Sequence, residues 1–161
     1  MNAPKQVAQT LRTKFKQLGY NSKQISVTSD YNSINIRVKD QSLDAEVIEK
    51  IGQQFERIKR CEATGEILSG ANFFVFTSYD FQSERKMTEE PAYKVLLLEI
   101  TEALNPLECG YGYEFGRYTV SKERPWSYHL WDNKEGRWQL NGVSLGCATT
   151  YIYRARLQGK D

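Results

Sequence analysis

The sequence predicts an α+β fold: a helix–β-hairpin–helix–strand N-terminal part, then a helix and an antiparallel β meander, in one compact domain. Apolar and polar residues alternate twice between residues 25 and 38, which is typical of a hairpin with one buried face. Between residues 47 and 58 the apolar residues recur at helical spacing. After residue 110 the chain is rich in aromatic and β-branched residues separated by turn residues, which favours a sheet.

The first helix and the hairpin follow directly from this periodicity. Gly19 supplies a natural end to the helix, because glycine adopts the left-handed conformation that closes a helix. The hairpin strands are predicted over residues 25–27 and 34–38, joined by an Asp/Asn/Ser turn. The helix preceding them has four apolar side chains at helical spacing: Val7, Leu11, Phe15 and Leu18.

A second helix and an aromatic strand complete the N-terminal part. Ser42 or Asp44 can cap the helix, because short polar side chains accept hydrogen bonds from the first backbone N–H groups. Residues 73–79 give the strongest strand signal in the chain, and four apolar residues in a row predict a central strand covered on both faces. The helix carries a stripe of five apolar residues: Val47, Ile48, Ile51, Phe55 and Ile58.

The C-terminal part begins after a polar stretch that we predict to be a loop or linker. Pro91 suits the first turn of a helix, and this helix is expected to end near Leu104, before Asn105 and Pro106. Strands are predicted over residues 111–120, 126–132, 137–140 and 147–157. The predicted division is therefore an α/β part at 1–80, a loop or linker at 81–90, and a helix with aromatic-rich strands at 91–161.

Charge is distributed unevenly along the chain. Residues 1–60 carry 11 Lys and Arg against 6 Asp and Glu, whereas residues 61–161 carry 11 against 14. Either the basic first third faces nucleic acid or another acidic partner, or its lysines lie on the solvated faces of two amphipathic helices.

Cysteine usage and hydropathy bound the location. The three cysteines are widely spaced and form no Cys-x-x-Cys pair, which favours a reducing, cytoplasmic setting. We find neither a secretory signal nor an apolar run long enough to span a bilayer, so no membrane partner is expected. The three positions are Cys61, Cys109 and Cys147.

A specific residue pattern runs through the predicted hairpin: residues 26–31 read Ser-Val-Thr-Ser-Asp-Tyr, residues 33–36 read Ser-Ile-Asn-Ile, and Asp40 closes the pattern. With this pattern, residues 10–80 resemble a large polyvalent protein-associated domain of phages and conjugative elements. The family pattern runs Ser-Val-Arg-Ser, then Ser-Ile-x-Val, then an Asp, and residues 54–56 (Gln-Phe-Glu) resemble the end of its second helix.

This chain also departs from the family pattern. Residues 38–42 read Val-Lys-Asp-Gln-Ser where the family usually has Trp-Thr-Asp-Gly-Pro, and Thr28 stands where the family prefers Arg. The resemblance implies a phage or plasmid origin, the cytoplasm of a bacterial host, and a role in conjugation or in countering host defence. It brings no catalytic residues with it.

Catalytic and metal chemistry find little support in the residues. His129 is the single histidine, and Asp132 lies at an odd offset that places it on the opposite face of a strand. One histidine and three scattered cysteines lack the spacing of a metal site. We therefore predict no catalytic residue, no metal and no cofactor, while a small enzyme using His129 or a cysteine stays as a third hypothesis.

Aromatic and arginine residues crowd the C-terminal third. Tryptophan, tyrosine and arginine are the usual anchors of protein interfaces, but they can equally pack into a core or stack nucleic-acid bases. We select as candidate binding residues Trp126, Trp131, Trp138, Arg117, Arg137 and Tyr113.

The leading hypothesis is a non-enzymatic accessory or anti-defence protein of a mobile genetic element. It would bind and occlude a host protein or a protein–nucleic-acid complex, and the sequence leaves its oligomeric state open. The alternative is a single-stranded nucleic-acid-binding protein that combines aromatic stacking with basic residues at Lys14, Lys16, Arg57, Lys59 and Arg60.

Overall fold

The computed structural model describes residues 3–58, 60–67 and 72–161, and it divides the chain into two compact units, Met1–Glu84 and Arg85–Asp161. We expected one compact domain. The physical reason for the difference is that the buried apolar side chains form two separate clusters, one in each unit.

The N-terminal unit is a three-stranded sheet covered on one face by two helices. Strands β1 and β2 form the predicted antiparallel hairpin, and β3 pairs with β2 in parallel, so the strand order is β1-β2-β3. The helix–hairpin–helix–strand order is therefore confirmed. Its elements are α1 (Ala3–Gln17), β1 (Ile25–Ser29), β2 (Ser33–Val38), α2 (Ala45–Gln53) and β3 (Phe74–Tyr79).

Close packing of α2 on this sheet requires a glycine. A Cβ atom at Gly52 would lie 2.8 Å from Cδ1 of Ile36 and 3.0 Å from Cγ1 of Val75, closer than van der Waals contact allows. The helix begins at the predicted cap, where the Asp44 carboxylate accepts a hydrogen bond from the Glu46 N–H at 3.0 Å.

Strand β3 corrects the prediction of a central strand covered on both faces. Within the described residues it pairs along its length with β2 alone, so it lies at the edge of the sheet. Its run of apolar residues is divided between the faces: Val75 enters the core, while Phe74 and Phe76 stack on the open side. The apolar stripe of the second helix is also cut short, because α2 ends at Gln53.

The C-terminal unit contains a four-stranded antiparallel meander with helices on one face. The strand order β4-β5-β6-β7 follows the chain, which confirms the predicted meander. Its elements, together with the helix α3 that spans the division, are α3 (Phe81–Thr88), α4 (Pro91–Leu104), β4 (Gly112–Phe115), β5 (Tyr118–Arg124), β6 (Ser127–Asp132), β7 (Arg137–Val143) and α5 (Leu145–Leu157).

Most of residues 81–90, which we predicted to be a loop or linker, form helix α3. The Asp80 carboxylate accepts hydrogen bonds from the N–H of Ser83 at 3.0 Å and from its hydroxyl at 2.9 Å, an arrangement that starts a helix. Met87 is buried and anchors the last turn. The other side chains are mostly polar because the helix presents most of its surface to solvent, and that polarity resembles a linker.

Residues 147–157, which we predicted to be a strand, belong to helix α5. Ser144 caps it by accepting a hydrogen bond from the Cys147 N–H at 3.3 Å. Ala148, Ile152 and Ala155 are buried at helical spacing, and this spacing outweighs the strand preference of the neighbouring Thr and Tyr residues. Tertiary packing thus decides the conformation of this segment, not local propensity.

Candidate functional site

The meander of the C-terminal unit leaves one face open. Alternation along the strands sends Tyr118, Val120 and Leu130 toward α4 and α5, where they are buried. The opposite face carries His129 and Trp131 from β6, and it is continued by Trp138 from β7. We call the three side chains His129, Trp131 and Trp138 the tryptophan face.

The three rings of the tryptophan face form a continuous aromatic strip. Trp131 and Trp138 pair across the strands with ring centroids 4.8 Å apart at 74°, and Trp138 also lies 5.3 Å from the imidazole of His129. Shifts in register between β6 and β7 on either side of Leu130 bring these rings together. Trp138 is 50% exposed, so much of the strip is open to contact.

The His129 imidazole is oriented by two neighbours from adjacent strands. Its Nδ1 accepts a hydrogen bond from the Gly142 N–H at 3.2 Å, so the proton of the neutral ring sits on Nε2. That Nε2 lies 3.4 Å from the Glu123 carboxylate. Asp132 is on the opposite, buried face, as the odd offset predicts. The neighbouring carboxylate was missed because cross-strand register cannot be obtained from spacing along the chain.

The hydroxyl of Ser127 also points to the Glu123 carboxylate. It donates to Glu123 at 2.9 Å, and this bond lowers the pKa of the carboxyl. Ser127 and His129 thus share one carboxylate as their partner, and the hydroxyl does not donate to the imidazole. Activation of a serine needs a hydrogen bond from the hydroxyl to the base, and Ser127 makes its bond to Glu123 instead.

Trp126 projects from the turn between β5 and β6. The turn consists of Pro125 and Trp126, and the tryptophan has a φ of +70°, a left-handed conformation that is unfavourable for a bulky residue. Its side chain is 87% exposed. Of the three predicted tryptophan anchors, this one is the most accessible.

Arg117 was predicted to be a binding residue, but its guanidinium is hydrogen-bonded within the C-terminal unit. Its guanidinium donates to both oxygens of Asp132, at 2.8 and 2.5 Å, to Glu135 at 2.9 Å and to the Lys160 carbonyl at 3.2 Å. The arginine holds the pKa of the buried Asp132 at about 2. Its donors are occupied within the unit, so we leave Arg117 out of the proposed contact surface.

Arg137 and Tyr113 are accessible but do not belong to the aromatic strip. The Arg137 guanidinium donates to Glu135 at 2.6 Å and is mostly exposed. Tyr113 pairs with Val120 and lies 5.1 Å from the ring of Phe115, so it borders the helix-covered face of the sheet. Of the six predicted binding residues, the structure therefore brings Trp131 and Trp138 into contact, and His129, which was not among the six, joins them.

The N-terminal sheet also has an open face. Phe74 and Phe76 stack there with ring centroids 6.1 Å apart and planes 15° from parallel, and Phe76 is 56% exposed. Asn35 pairs with Phe76 across the strands, and Arg37 donates to the Ser78 hydroxyl beside them. We call Phe74, Phe76, Asn35 and Arg37 the phenylalanine face.

The basic residues of the nucleic-acid alternative are dispersed within the N-terminal unit. Lys14 and Lys16 line two different grooves beside α1, and Arg57 forms an isolated bridge with Phe73. Arg60 donates to the Gly65 carbonyl at 3.2 Å. The predicted Lys59 lies outside the described residues.

No helix in the described part of the chain has the length and hydropathy needed to cross a bilayer. Comparisons with protein-family models, curated proteins and solved structures found no match. The resemblance of residues 10–80 to the polyvalent protein-associated domain therefore stays a prediction.

Proposed function

We propose that the protein is a non-enzymatic binding protein that docks on a host protein through the tryptophan face and occludes it. The observation that carries this proposal is the joined strip of His129, Trp131 and Trp138 on a sheet face opposite the helices of its unit. A role as an accessory or anti-defence factor of a mobile genetic element follows from the resemblance of residues 10–80.

The physics of interfaces favours a protein partner for this face. Tryptophan contributes more binding energy than most residues when it is desolvated at the centre of a contact, and two adjacent rings bury a large area at little entropic cost. Glu123 lies beside the strip. Glu114 pairs with Thr119, and Thr119 pairs with Trp131, so Glu114 lies on the same face of the sheet as the strip. Carboxylates there repel phosphate and favour a partner with basic or aromatic side chains.

The experiment is a comparative affinity capture from nuclease-treated bacterial lysate, followed by mass spectrometry. We expect a specific host protein to be retained by the wild type and lost from the Trp131→Ala/Trp138→Ala variant. Tyr111→Ala is the matched control, because Tyr111 is an exposed aromatic of the same unit that lies outside the strip. Equal recovery by all three proteins would exclude the tryptophan face as the docking surface.

A second candidate, single-stranded nucleic-acid binding, is favoured by the phenylalanine face. Two stacked rings on an exposed sheet face can accept bases, and Arg37 can approach the backbone phosphates. The four described basic residues of this alternative, Lys14, Lys16, Arg57 and Arg60, also belong to the N-terminal unit. Glu123 and Glu114, which lie beside the tryptophan face, have no counterpart among the four residues that define the phenylalanine face.

Fluorescence anisotropy with labelled single-stranded oligonucleotides tests this second candidate. We expect affinity to fall steeply with salt, and Phe76→Ala to weaken binding by about 1–3 kcal/mol. Tyr31→Ala is the control, since Tyr31 is an exposed aromatic in the β1–β2 turn of the same unit. Binding that is absent, or that is insensitive to Phe76→Ala, would rule out stacking on this face.

A further inference from the structure

Strand β1 presents an unpaired backbone edge on the side away from β2. Two hydrogen bonds at the ends of the hairpin, Asp30 N–H to Ser33 O at 2.8 Å and Lys39 N–H to Gln24 O at 2.8 Å, fix which residues face the partner strand. Among the described residues no strand pairs with the outer side of β1. By alternation, three β1 residues direct their backbone groups outward: Ile25, Val27 and Ser29.

The Arg12 side chain is hydrogen-bonded to the central backbone acceptor of this edge, the Val27 carbonyl. The Arg12 guanidinium donates to the Val27 carbonyl from Nε at 3.2 Å and from Nη2 at 2.6 Å. The outward N–H of Ile25 is taken by the Asn21 carbonyl at 3.0 Å. At the centre of the edge, one arginine side chain therefore donates the hydrogen bond that a backbone N–H of a neighbouring strand would otherwise donate.

A groove runs along this edge, between α1 and β1. It has a volume of about 400 Å³, which is within the range of sites that bind ligands of moderate size. Its floor is apolar and its rim is basic. The floor is formed by Phe15, Tyr20, Ile25 and Val27, and the rim carries Arg12 and Lys16.

The segment that lines the groove is basic and contains no acidic residue. Residues 3–29 contain no Asp or Glu, whereas residues 30–60 contain six acidic and six basic residues. The basic surplus of the first 60 residues therefore belongs entirely to the segment that forms α1, the following turn and β1. Its cations are Lys5, Arg12, Lys14, Lys16 and Lys23.

We infer that this groove binds an acidic, extended segment of a partner protein, which adds to the sheet as an outer antiparallel strand on β1. A backbone N–H of the segment replaces the Arg12 guanidinium at the Val27 carbonyl. The released guanidinium then pairs with a carboxylate of the segment, beside Lys16. Apolar side chains of the segment enter the groove over Phe15 and Tyr20, and backbone pairing supplies affinity while the charges supply selectivity.

The charge requirement is tested with two fluorescein-labelled peptides and anisotropy on the full chain. One peptide has a central Val-Thr-Ile-Val run flanked by glutamates, and its counterpart has lysines in place of the glutamates. We expect the acidic peptide to bind at least about tenfold more tightly than the basic one. Equal affinities, or no binding of the acidic peptide, would overturn the inference.

Protein variants locate the site. Arg12→Glu/Lys16→Glu is expected to weaken acidic-peptide binding at least about tenfold, and Lys16→Glu alone gives a smaller loss without touching the bond to Val27. Lys14→Glu is the matched control, because it makes the same charge change on α1 but lines a different groove. Equal losses in Lys14→Glu and Lys16→Glu would reduce the effect to general charge and contradict a site at the β1 edge.

Backbone pairing is tested separately from charge. Two versions of the acidic peptide carry methyl groups on one or the other set of alternate backbone nitrogens, and both keep the carboxylates. Because only one set faces β1 in an added strand, strand addition predicts that one version loses binding and the other keeps it. Retained binding by both versions would disprove an added strand. A labelled oligonucleotide that competes with the acidic peptide and binds more tightly would assign the groove to nucleic acid instead.

Discussion

The two units share one arrangement, helices packed on one face of a sheet, but differ in what their cores contain. Each places helices on one face of a sheet and leaves the other face open, yet the C-terminal unit contains the one charged side chain found buried among the described residues, Asp132. The N-terminal core is apolar side chains and a close glycine contact. The C-terminal unit therefore adds a buried ion pair to its apolar core, whereas the N-terminal unit adds a close glycine contact that depends on shape.

The distribution of tryptophan makes this comparison measurable. Trp126, Trp131 and Trp138 all lie in the C-terminal unit, so tryptophan fluorescence follows the unfolding of that unit. Far-UV circular dichroism and amide hydrogen exchange report on both units. Comparing tryptophan fluorescence with these two measurements therefore shows, in the intact chain, which unit a substitution destabilises.

The largest expected effect comes from breaking the buried ion pair. Arg117→Ala leaves Asp132 buried without its main partner, and removing one member of a buried pair costs about 3–5 kcal/mol. We expect the denaturant midpoint followed by tryptophan fluorescence to fall accordingly. Arg137→Ala removes the same charge from an exposed pair with Glu135 and should change the free energy of unfolding by less than about 1 kcal/mol. Similar losses in the two variants would contradict a special role for Arg117.

Acid should weaken the C-terminal unit through protonation of Asp132. Because the folded-state pKa of Asp132 is lowered to about 2, its stabilisation is complete above the ordinary value near 4 and is lost as pH falls toward 2. The stability lost across this window is about 2 kcal/mol. Urea titrations at both pH values, followed by tryptophan fluorescence, measure it. The same pH dependence in Asp132→Asn would show that other groups cause the loss.

A smaller effect tests the dependence of the N-terminal unit on shape. Gly52→Ala gains about 1 kcal/mol of helix propensity, but its methyl group collides with Ile36 and Val75, which costs about 1–3 kcal/mol. We expect a net loss of about 1 kcal/mol, visible in the hydrogen exchange of β2 amides. Gly146→Ala in α5 is the control, since the nearest atom to its new methyl group is 3.9 Å away. That control should be neutral or stabilising.

The smallest effects are expected on the two open faces. Trp138→Ala and Phe76→Ala remove half-exposed rings, so each should alter the free energy of unfolding by only about 0.5 kcal/mol. Leu130→Ala, on the buried side of the same meander, should instead cost about 2–5 kcal/mol. A large loss in either open-face variant would mean that the ring stabilises its unit and is not reserved for a partner.

Much of the fold could be predicted from the sequence where one local pattern decides it. The alternation before Val38 predicted the hairpin, Pro91 predicted the start of α4, and Asp44 is one of the two caps predicted for α2. Helix α5 was missed because its Thr and Tyr residues favour a strand locally, and only packing against the sheet selects the helix. A local pattern fails when tertiary contacts reverse its preference.

The candidate site was predictable by residue type but not by arrangement. Trp131 and Trp138 could be selected as anchors, yet their contact depends on strand register and on the shifts around Leu130. Glu123 reaches His129 from the neighbouring strand, at a sequence distance that marks no motif. Arg117 was indistinguishable from a surface anchor because its burial follows from the position of Asp132.

The turn at Trp126 places a bulky, exposed side chain in a strained backbone conformation. The turn consists of Pro125 and Trp126, and its second position has a positive φ that glycine would adopt without strain. Holding a tryptophan there costs conformational energy and buries almost none of its ring. Trp126→Gly should therefore make the hairpin more stable, and the prediction that Trp126 is a binding residue implies that selection for thermostability alone would remove it first.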